Sequence, residues 1–411
     1  MSSPSTRGAQ DAERSGFANR SPLSLYIHIP WCVKKCPYCD FNSHGRQGEL
    51  PVRAYVAALL ADLDGDLLDA GETIANREIV SVFFGGGTPS LFAPDAIADI
   101  LDGATARLPF ARDCEITLET NPGTVEHGRF DGYLKSGVNR ISFGVQSFDD
   151  DKLRALGRIH SAAEAETAIR QAQDAGYDNI NLDLMYALPK QTADGALADI
   201  ESAIALSPSH LSHYQLTLEP NTAFAANPPS LPDDDDAWAM QEACQTRLAQ
   251  AGYAQYEVSA YARDGKRCSH NLNYWTFGDY LGIGAGAHGK VTDAAHGEIR
   301  RRRKLKHPRA YLETAATTAR IGGDILVTRE ELPFEYMLNA LRLNDGVPIE
   351  DFAARTGLPL ADIEVPMRDA RARGWLCDDA NWLRATPLGQ RFLNDVIELF
   401  LPSPPRQHRR A

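Results

Sequence analysis

The chain has 411 residues, 43% hydrophobic and 24% charged, which fits two or three globular domains with a core that needs no disulfide staples. Acidic residues number 55 against 42 Lys and Arg, and the net charge of −13 argues against a general nucleic-acid coat, whose affinity needs clustered positive charge. No run of apolar residues is long enough for a membrane span, and the polar stretch 1–20 lacks the apolar centre of an export signal, so a cytoplasmic protein is expected.

Residues 1–21 carry Ser, Pro, Gly and Arg without periodicity and read as a disordered leader. A rhythm then sets in. Runs dense in Val, Ile, Leu, Phe, Tyr and Thr at 23–30, 79–84, 115–121, 140–148, 179–188 and 210–218 predict strands. The stretch 53–69 places Val56, Leu59, Leu60, Leu63, Leu67 and Leu68 on one helical face, and 94–108, 125–135, 162–175 and 193–206 predict further helices. Six strand–helix repeats imply parallel strands with right-handed crossovers, in a sheet that is either open or closed. Polar and Gly-rich residues gather at the predicted C-terminal strand ends, where such folds build their sites: the cysteines after the first strand, Gly85-Gly86-Gly87-Thr88-Pro89 after the second, Glu119 to Gly123 after the third, Gln146 on the fourth and Asp183 inside the fifth.

After Pro220 the acids 233–236 open a helix reaching about Ala251. The segment His270-Asn-Leu-Asn-Tyr274-Trp275 follows, then a small-residue stretch at 282–289 and a basic patch of Arg300 to Arg303, Lys304, Lys306 and Arg309, which reads as a solvated linker. Short helices at 331–341, 349–356 and 360–373, followed by a small hairpin, suggest a helical, winged-helix-like C-terminal domain, and 402–411 reads as a loose tail. The expected division is a barrel at 22–220, an extension at 221–310 and the C-terminal domain at 311–401.

Seven cysteines are too few and too scattered for a disulfide framework. Three of them stand as Cys32-Val-Lys-Lys-Cys36-Pro-Tyr-Cys39. Three thiolates at that spacing can hold three corners of an iron–sulfur cubane and leave one iron open for a ligand. A zinc site with His28 or His44 as fourth ligand is the alternative, although the spacing lacks the paired look of structural zinc sites. A redox pair of Cys36 and Cys39 leaves Cys32 unexplained.

With the Gly-Gly-Gly-Thr-Pro run after the second strand, the CxxxCxxC motif resembles the radical SAM superfamily. That resemblance implies a partial (β/α)6 barrel, a [4Fe-4S] cluster on Cys32, Cys36 and Cys39, and S-adenosylmethionine (SAM) on the open iron. More closely, Tyr26 to Cys32, Gly144 to Phe148, Gly157 to His160, Asn181 to Met185 and His270 to Trp275 resemble the HemW-type heme chaperones and the related oxygen-independent coproporphyrinogen III oxidases, over nearly the whole chain. It implies SAM contacts from Tyr26, Tyr38, Gly86, Gly87, Thr88, Glu119, Gln146, Arg158 and Asp183. Each has a physical case. Glycines let backbone come close, carboxylates take ribose hydroxyls or balance a sulfonium, and an Arg meets a carboxylate. Taken alone, Arg158 reads as a surface helix charge and Gln146 as a strand-edge hydrogen-bonding group.

Two functions compete within the resemblance. One is an enzyme that uses SAM to decarboxylate coproporphyrinogen III. The other is a chaperone that binds heme and delivers it to acceptor haemoproteins, with membrane respiratory enzymes among the candidates. The oxidases carry another cysteine where this chain has Phe41, and a longer N-terminal segment than the polar leader here. The His270 motif resembles the heme-handling HNxxYW segment of HemW proteins. All three features favour the chaperone. His270 is then a candidate heme-iron ligand, with Cys268 behind it, against the plainer reading of a packed histidine. The basic patch becomes a candidate contact for heme propionates, an acidic partner or lipid headgroups, with peripheral membrane attachment at the inner face and a homodimer as further expectations. An RNA-modifying enzyme would carry an RNA-binding appendage, and none is found, so no nucleic-acid partner is expected.

Overall fold

All six predicted strands form, and they lie side by side in chain order in one sheet: β1 (Leu23–Ile29), β2 (Ile79–Gly86), β3 (Phe110–Thr120), β4 (Arg140–Gln146), β5 (Ile180–Tyr186) and β6 (His210–Gln215), all parallel. The structure is a computed structural model and describes residues 17, 21–123 and 129–402. Most of the predicted leader and tail, and the start of the helix expected at 125–135, lie outside the described residues.

Helices α1 (Val52–Ala70), α2 (Pro94–Thr105), α3 (Phe130–Lys135), α4 (Asp150–Ala155), α5 (Ala162–Asp174) and α6 (Ala193–Ala205) supply the crossovers. The period-2 alternation of the strands separates two faces. Leu25, Ile27, Val82, Phe84, Leu118, Ile141, Phe143, Leu182 and Leu211 are fully buried in the main core, which the crossover helices help to form. The other face is polar: Ser24, Tyr26 and His28 on β1, Ser81 on β2, Glu115 and Glu119 on β3, Arg140 and Gln146 on β4, Asn181 and Asp183 on β5, and His210 and Tyr214 on β6. A sheet polar on one side marks that side as the working surface of the fold.

The extension does not stand apart. After α7 (Asp234–Gln250), β7 (Ala254–Glu257) and β8 (Ala260–Ala262) add antiparallel strands beyond β6. After α8 (Ser269–Trp275), β9 (Asp279–Ile283) pairs parallel with β1, and β10 (His288–Asp293), β11 (Glu298–Lys304) and β12 (Ile321–Leu326) continue outward antiparallel. The twelve strands run from β12 at one edge to β7 at the other, so the sheet stays open. Helix α9 (Pro308–Thr314) packs Tyr311 into the main core; α10 (Leu332–Ala340), α11 (Glu350–Thr356) and α12 (Ala361–Ala372), with a two-stranded pair of Val347–Pro348 and Trp382–Leu383, gather around a second core that includes Tyr336, Phe352 and Ile363. Phe17 packs on the same core.

Two expectations from the sequence need correction here. Leu68 is 84% exposed, and α1 instead buries Tyr55, Ala58, Asp62 and Asp66 beside Val56, Leu59 and Leu63. The basic patch is no linker but strand β11. Lys304 Nζ and Arg320 bind the buried Asp62 and Asp66, Arg302 reaches Asp66, Asp69 and Asp324, and Arg301 pairs with Glu335. Charges buried this deeply persist only when paired and hydrogen-bonded. Tyr311 Oη donates to Asp62 at 2.7 Å, and the Gly284 N–H donates to the same carboxylate at 3.1 Å. Among the described residues no helix is long and apolar enough to cross a membrane.

Candidate functional site

The cysteine loop leaves β1 and is fastened to its neighbours by backbone. Gly87 N–H donates to Ile29 O at 2.8 Å and Thr88 N–H to Trp31 O at 2.7 Å. Trp31–Cys32 pairs with His44–Gly45, and Trp31 is buried edge-on against Tyr55, ring centroids 4.7 Å apart. The glycines make this closeness possible. A Cβ on Gly87 would lie 2.5 Å from the Trp31 carbonyl oxygen, and one on Gly86, at φ +112°, 2.4 Å from the His28 ring. The sequence reading assigned these glycines to ligand approach; their nearest neighbours are the chain's own loop and strand.

Cys32, Cys36 and Cys39 are all half-buried and free of disulfides. Cys39 Sγ is 3.7 Å from Ser43 Oγ, and Arg158 Nη1 is 3.6 Å from Cys36 Sγ. Burial pushes the Cys32 and Cys39 thiols up, and the neighbouring cysteines push the same way. Thiols that repel each other as thiolates suit a cationic metal centre, which holds them deprotonated. Among the described residues no three His, Cys, Asp or Glu side chains gather as for a single metal ion. His28, a candidate fourth zinc ligand, has both ring nitrogens engaged, with Tyr26 Oη and Asn42 O, each at 3.0 Å.

The remaining sequence-predicted contacts gather beside this loop. Glu119 accepts the Gly86 N–H at 3.2 Å. Burial pushes its carboxyl up to about 8, and the nearby Asp183 adds to the rise. Asp183 is also raised by burial, opposed by hydrogen bonds from Asn181, Ser212 and Ser142. Arg158 is no surface charge: its guanidinium donates to Asn121 Oδ1 and to Gly144 O, and Tyr38 lies beside it. Asn121 Nδ2 in turn donates to Thr88 Oγ1 at 2.7 Å. Gln146, at φ +72°, accepts from Tyr214 Oη at 2.9 Å. Two half-buried carboxyls, an aromatic ring and an arginine thus face one space next to three thiols.

A cleft of about 500 Å³ opens from this space. Tyr26, Gly86 and Glu119 line one end, and Tyr274, Trp275 and Tyr280 supply aromatic lining. Trp275 Nε1 is buried with no hydrogen-bond partner among the described residues, and the Arg342 guanidinium lies over its ring at 4.2 Å. His288, Arg301 and Lys306 line it too, as does Phe41 of the cysteine loop. Asn42 clips that loop to the other wall, donating to Ala285 O at 2.9 Å and Lys306 O at 2.8 Å.

His270 is not brought to the cleft wall. It is buried on α8, with Nδ1 2.9 Å from Ser81 Oγ and Nε2 2.8 Å from Tyr274 Oη. Burial, with Arg140 nearby, pushes its ring down to about 3. It is a neutral ring that orients Tyr274. Around it, His270 N–H and Cys268 Sγ both donate to Glu115 Oε1, and Asn273 Nδ2 donates to Ser24 Oγ at 2.8 Å. Helix α8 therefore plugs the polar face at the N-terminal ends of β1 to β3 and presents Tyr274 and Trp275 to the cleft. Tyr214, Asn121, Asn42 and His288 were missed from sequence. Tyr214 alternates with Ser212 and His210 along β6, a legible signal; the other three sit in loops or on an outer strand with none.

The Radical SAM superfamily model matches residues 26–203, and the HemN C-terminal domain model matches residues 327–392. The chain is 51% identical over 380 residues to the heme chaperone HemW of Escherichia coli, and 50% identical over 385 residues to that of Haemophilus influenzae; each match covers 92% of this chain and 98% of the relative. Among solved structures, the coproporphyrinogen III oxidase HemN from Escherichia coli superposes with a TM-score of 0.77 at 22% identity, covering 97% of this chain and 93% of that one, which shows the shared fold. The chain belongs to the HemW heme chaperone family, on a radical SAM fold.

Proposed function

We propose that this protein binds heme in the 500 Å³ cleft and passes it to acceptor haemoproteins from the cytoplasm, while Cys32, Cys36 and Cys39 hold a [4Fe-4S] cluster and the adjoining residues hold SAM. The observation that carries the reading is the cleft's make-up. It joins aromatic walls, suited to a flat macrocycle, to a cationic lining, suited to propionates. The residues beside the thiols fit SAM. Glu119 and Asp183 are half-buried carboxyls whose ionisation desolvation opposes, so a cationic ligand would stabilise them, and a sulfonium with an α-ammonium supplies that charge. Gly86, Gly87 and Thr88 would meet the methionine end, Tyr38 the adenine, and Tyr26, Gln146 and Arg158 the rest. When bound, a reduced cluster supplies an electron to the sulfonium.

The contacts expected for SAM are gathered in one place, and this keeps a second reading open, the oxidative decarboxylation of coproporphyrinogen III. One experiment separates the two. Protein purified anaerobically with its cluster is offered coproporphyrinogen III with SAM and reductant, and separately heme followed by an apo-haemoprotein. Heme uptake and transfer without decarboxylated product is the expected result. Protoporphyrinogen formed in the first arm would overturn the chaperone reading.

A further inference from the structure

We propose that His288 is the protein ligand to the heme iron, with Arg303 and Lys306 beside it holding the propionates; this rests on the heme-binding reading above. Two histidines line the cleft, His28 and His288. His28 is buried with both ring nitrogens engaged. His270 and Cys268 are buried below the cleft and bonded to Ser81, Tyr274 and Glu115. His288 is exposed, and none of the hydrogen bonds among the described residues uses its ring. It is the lining imidazole whose lone pair is available, and neutral imidazole is a common axial ligand.

The surroundings fit the same cargo. His288 sits on β10 directly across from Arg303 on β11. Partial burial and the cations Lys306, Arg303 and Arg301 hold its ring below the ordinary imidazole range, so it stays neutral near neutral pH. Arg301 is already paired with Glu335, but Arg303 and Lys306 have no carboxylate partner among the described residues. In a protein of net charge −13, two unpaired cations flanking a neutral imidazole match a ligand with one metal and two carboxylates. Asn42 ties this wall, through Ala285 and Lys306, to the loop that ends in Cys39, so iron ligand and cysteine loop share one frame.

The test uses the full chain with its cluster, titrated with hemin and followed by visible absorption and electron paramagnetic resonance. The wild type should bind one hemin with a histidine-ligated spectrum. His288→Ala should lose that spectrum and bind at least roughly tenfold more weakly, the loss a supporting group alone can cause. Added imidazole should restore the spectrum, which a merely structural role would not allow. Arg303→Gln with Lys306→Gln should weaken binding and leave the spectrum unchanged. A His288→Ala protein with the wild-type spectrum and affinity overturns the assignment while heme binding stands. A wild type that takes up no hemin removes the heme-binding reading itself, before any variant is made.

Discussion

Replacing Glu119 by Gln should stabilise the SAM-free protein, increasingly so as pH rises. Glu119 is held against the Gly86 N–H, and burial beside Asp183 lifts its carboxyl from 4.5 to about 8. A folded-state pKa above the unfolded value means the carboxyl favours the fold while protonated. That contribution is complete below about pH 4.5, shrinks as pH climbs, and is gone above about pH 8. At ~1.4 kcal/mol for each tenfold change in proton affinity, the whole span is worth roughly 5 kcal/mol at most, and less where solvent reaches the half-buried carboxyl. Glutamine keeps an acceptor for Gly86 and carries no ionisation cost. Urea unfolding of both proteins without SAM, at acid and at alkaline pH, should show curves that nearly coincide in acid and a Gln variant more stable by about 2–4 kcal/mol in alkali. The same carboxyl should make SAM affinity rise with pH up to about 8 in the wild type, because binding a cation releases its proton, and the variant should bind SAM weakly at every pH. A stability difference that does not change with pH would refute the reasoning.

Other consequences are as direct. Lys304→Met strips the buried Asp62 and Asp66 of one cation and should cost about 3–5 kcal/mol in urea unfolding, less at low pH where Asp62, already raised by burial, takes a proton. Gly86→Ala forces a side chain into φ +112° and against the His28 ring; thermal melts should fall and SAM affinity drop, and an unchanged melt would show that the loop can yield. His270→Ala removes one partner of Ser81 and the His270 bond of Tyr274 and leaves a void, and a loss of roughly 2–4 kcal/mol is expected in urea unfolding, whereas loss of heme ligation with intact stability would restore His270 as an iron ligand.

The strand rhythm was legible because most strands carry an apolar face, and Leu25, Ile27, Val82 and Phe84 show the period plainly. The cysteine loop stood out as a candidate site because three thiols at fixed spacing have few other uses. What could not be read is whatever depends on partners far along the chain. Asp62 and Asp66 carry no sequence signal of burial; their partners Lys304 and Arg320 lie more than 230 residues later. For the same reason β11 passed for a linker: a run of arginines has no apolar alternation, and only Ile299 and Lys304 are buried in it. Arg158 looked solvent-facing because its acceptors, Gly144 O and Asn121, come from other elements of the fold. His270 stood out in the sequence as a candidate iron ligand, yet its neighbours Ser81 and Tyr274 hold it in hydrogen bonds that a motif cannot specify.

Metal analysis tests the foundation most directly. The chain, prepared anaerobically, should contain iron and sulfide in the ratio of one cubane, held by Cys32, Cys36 and Cys39, and the paramagnetic resonance of its reduced state should shift when SAM is added to the open iron. Stoichiometric zinc in place of iron, iron retained after all three cysteines are changed to serine, or a resonance indifferent to SAM would contradict it.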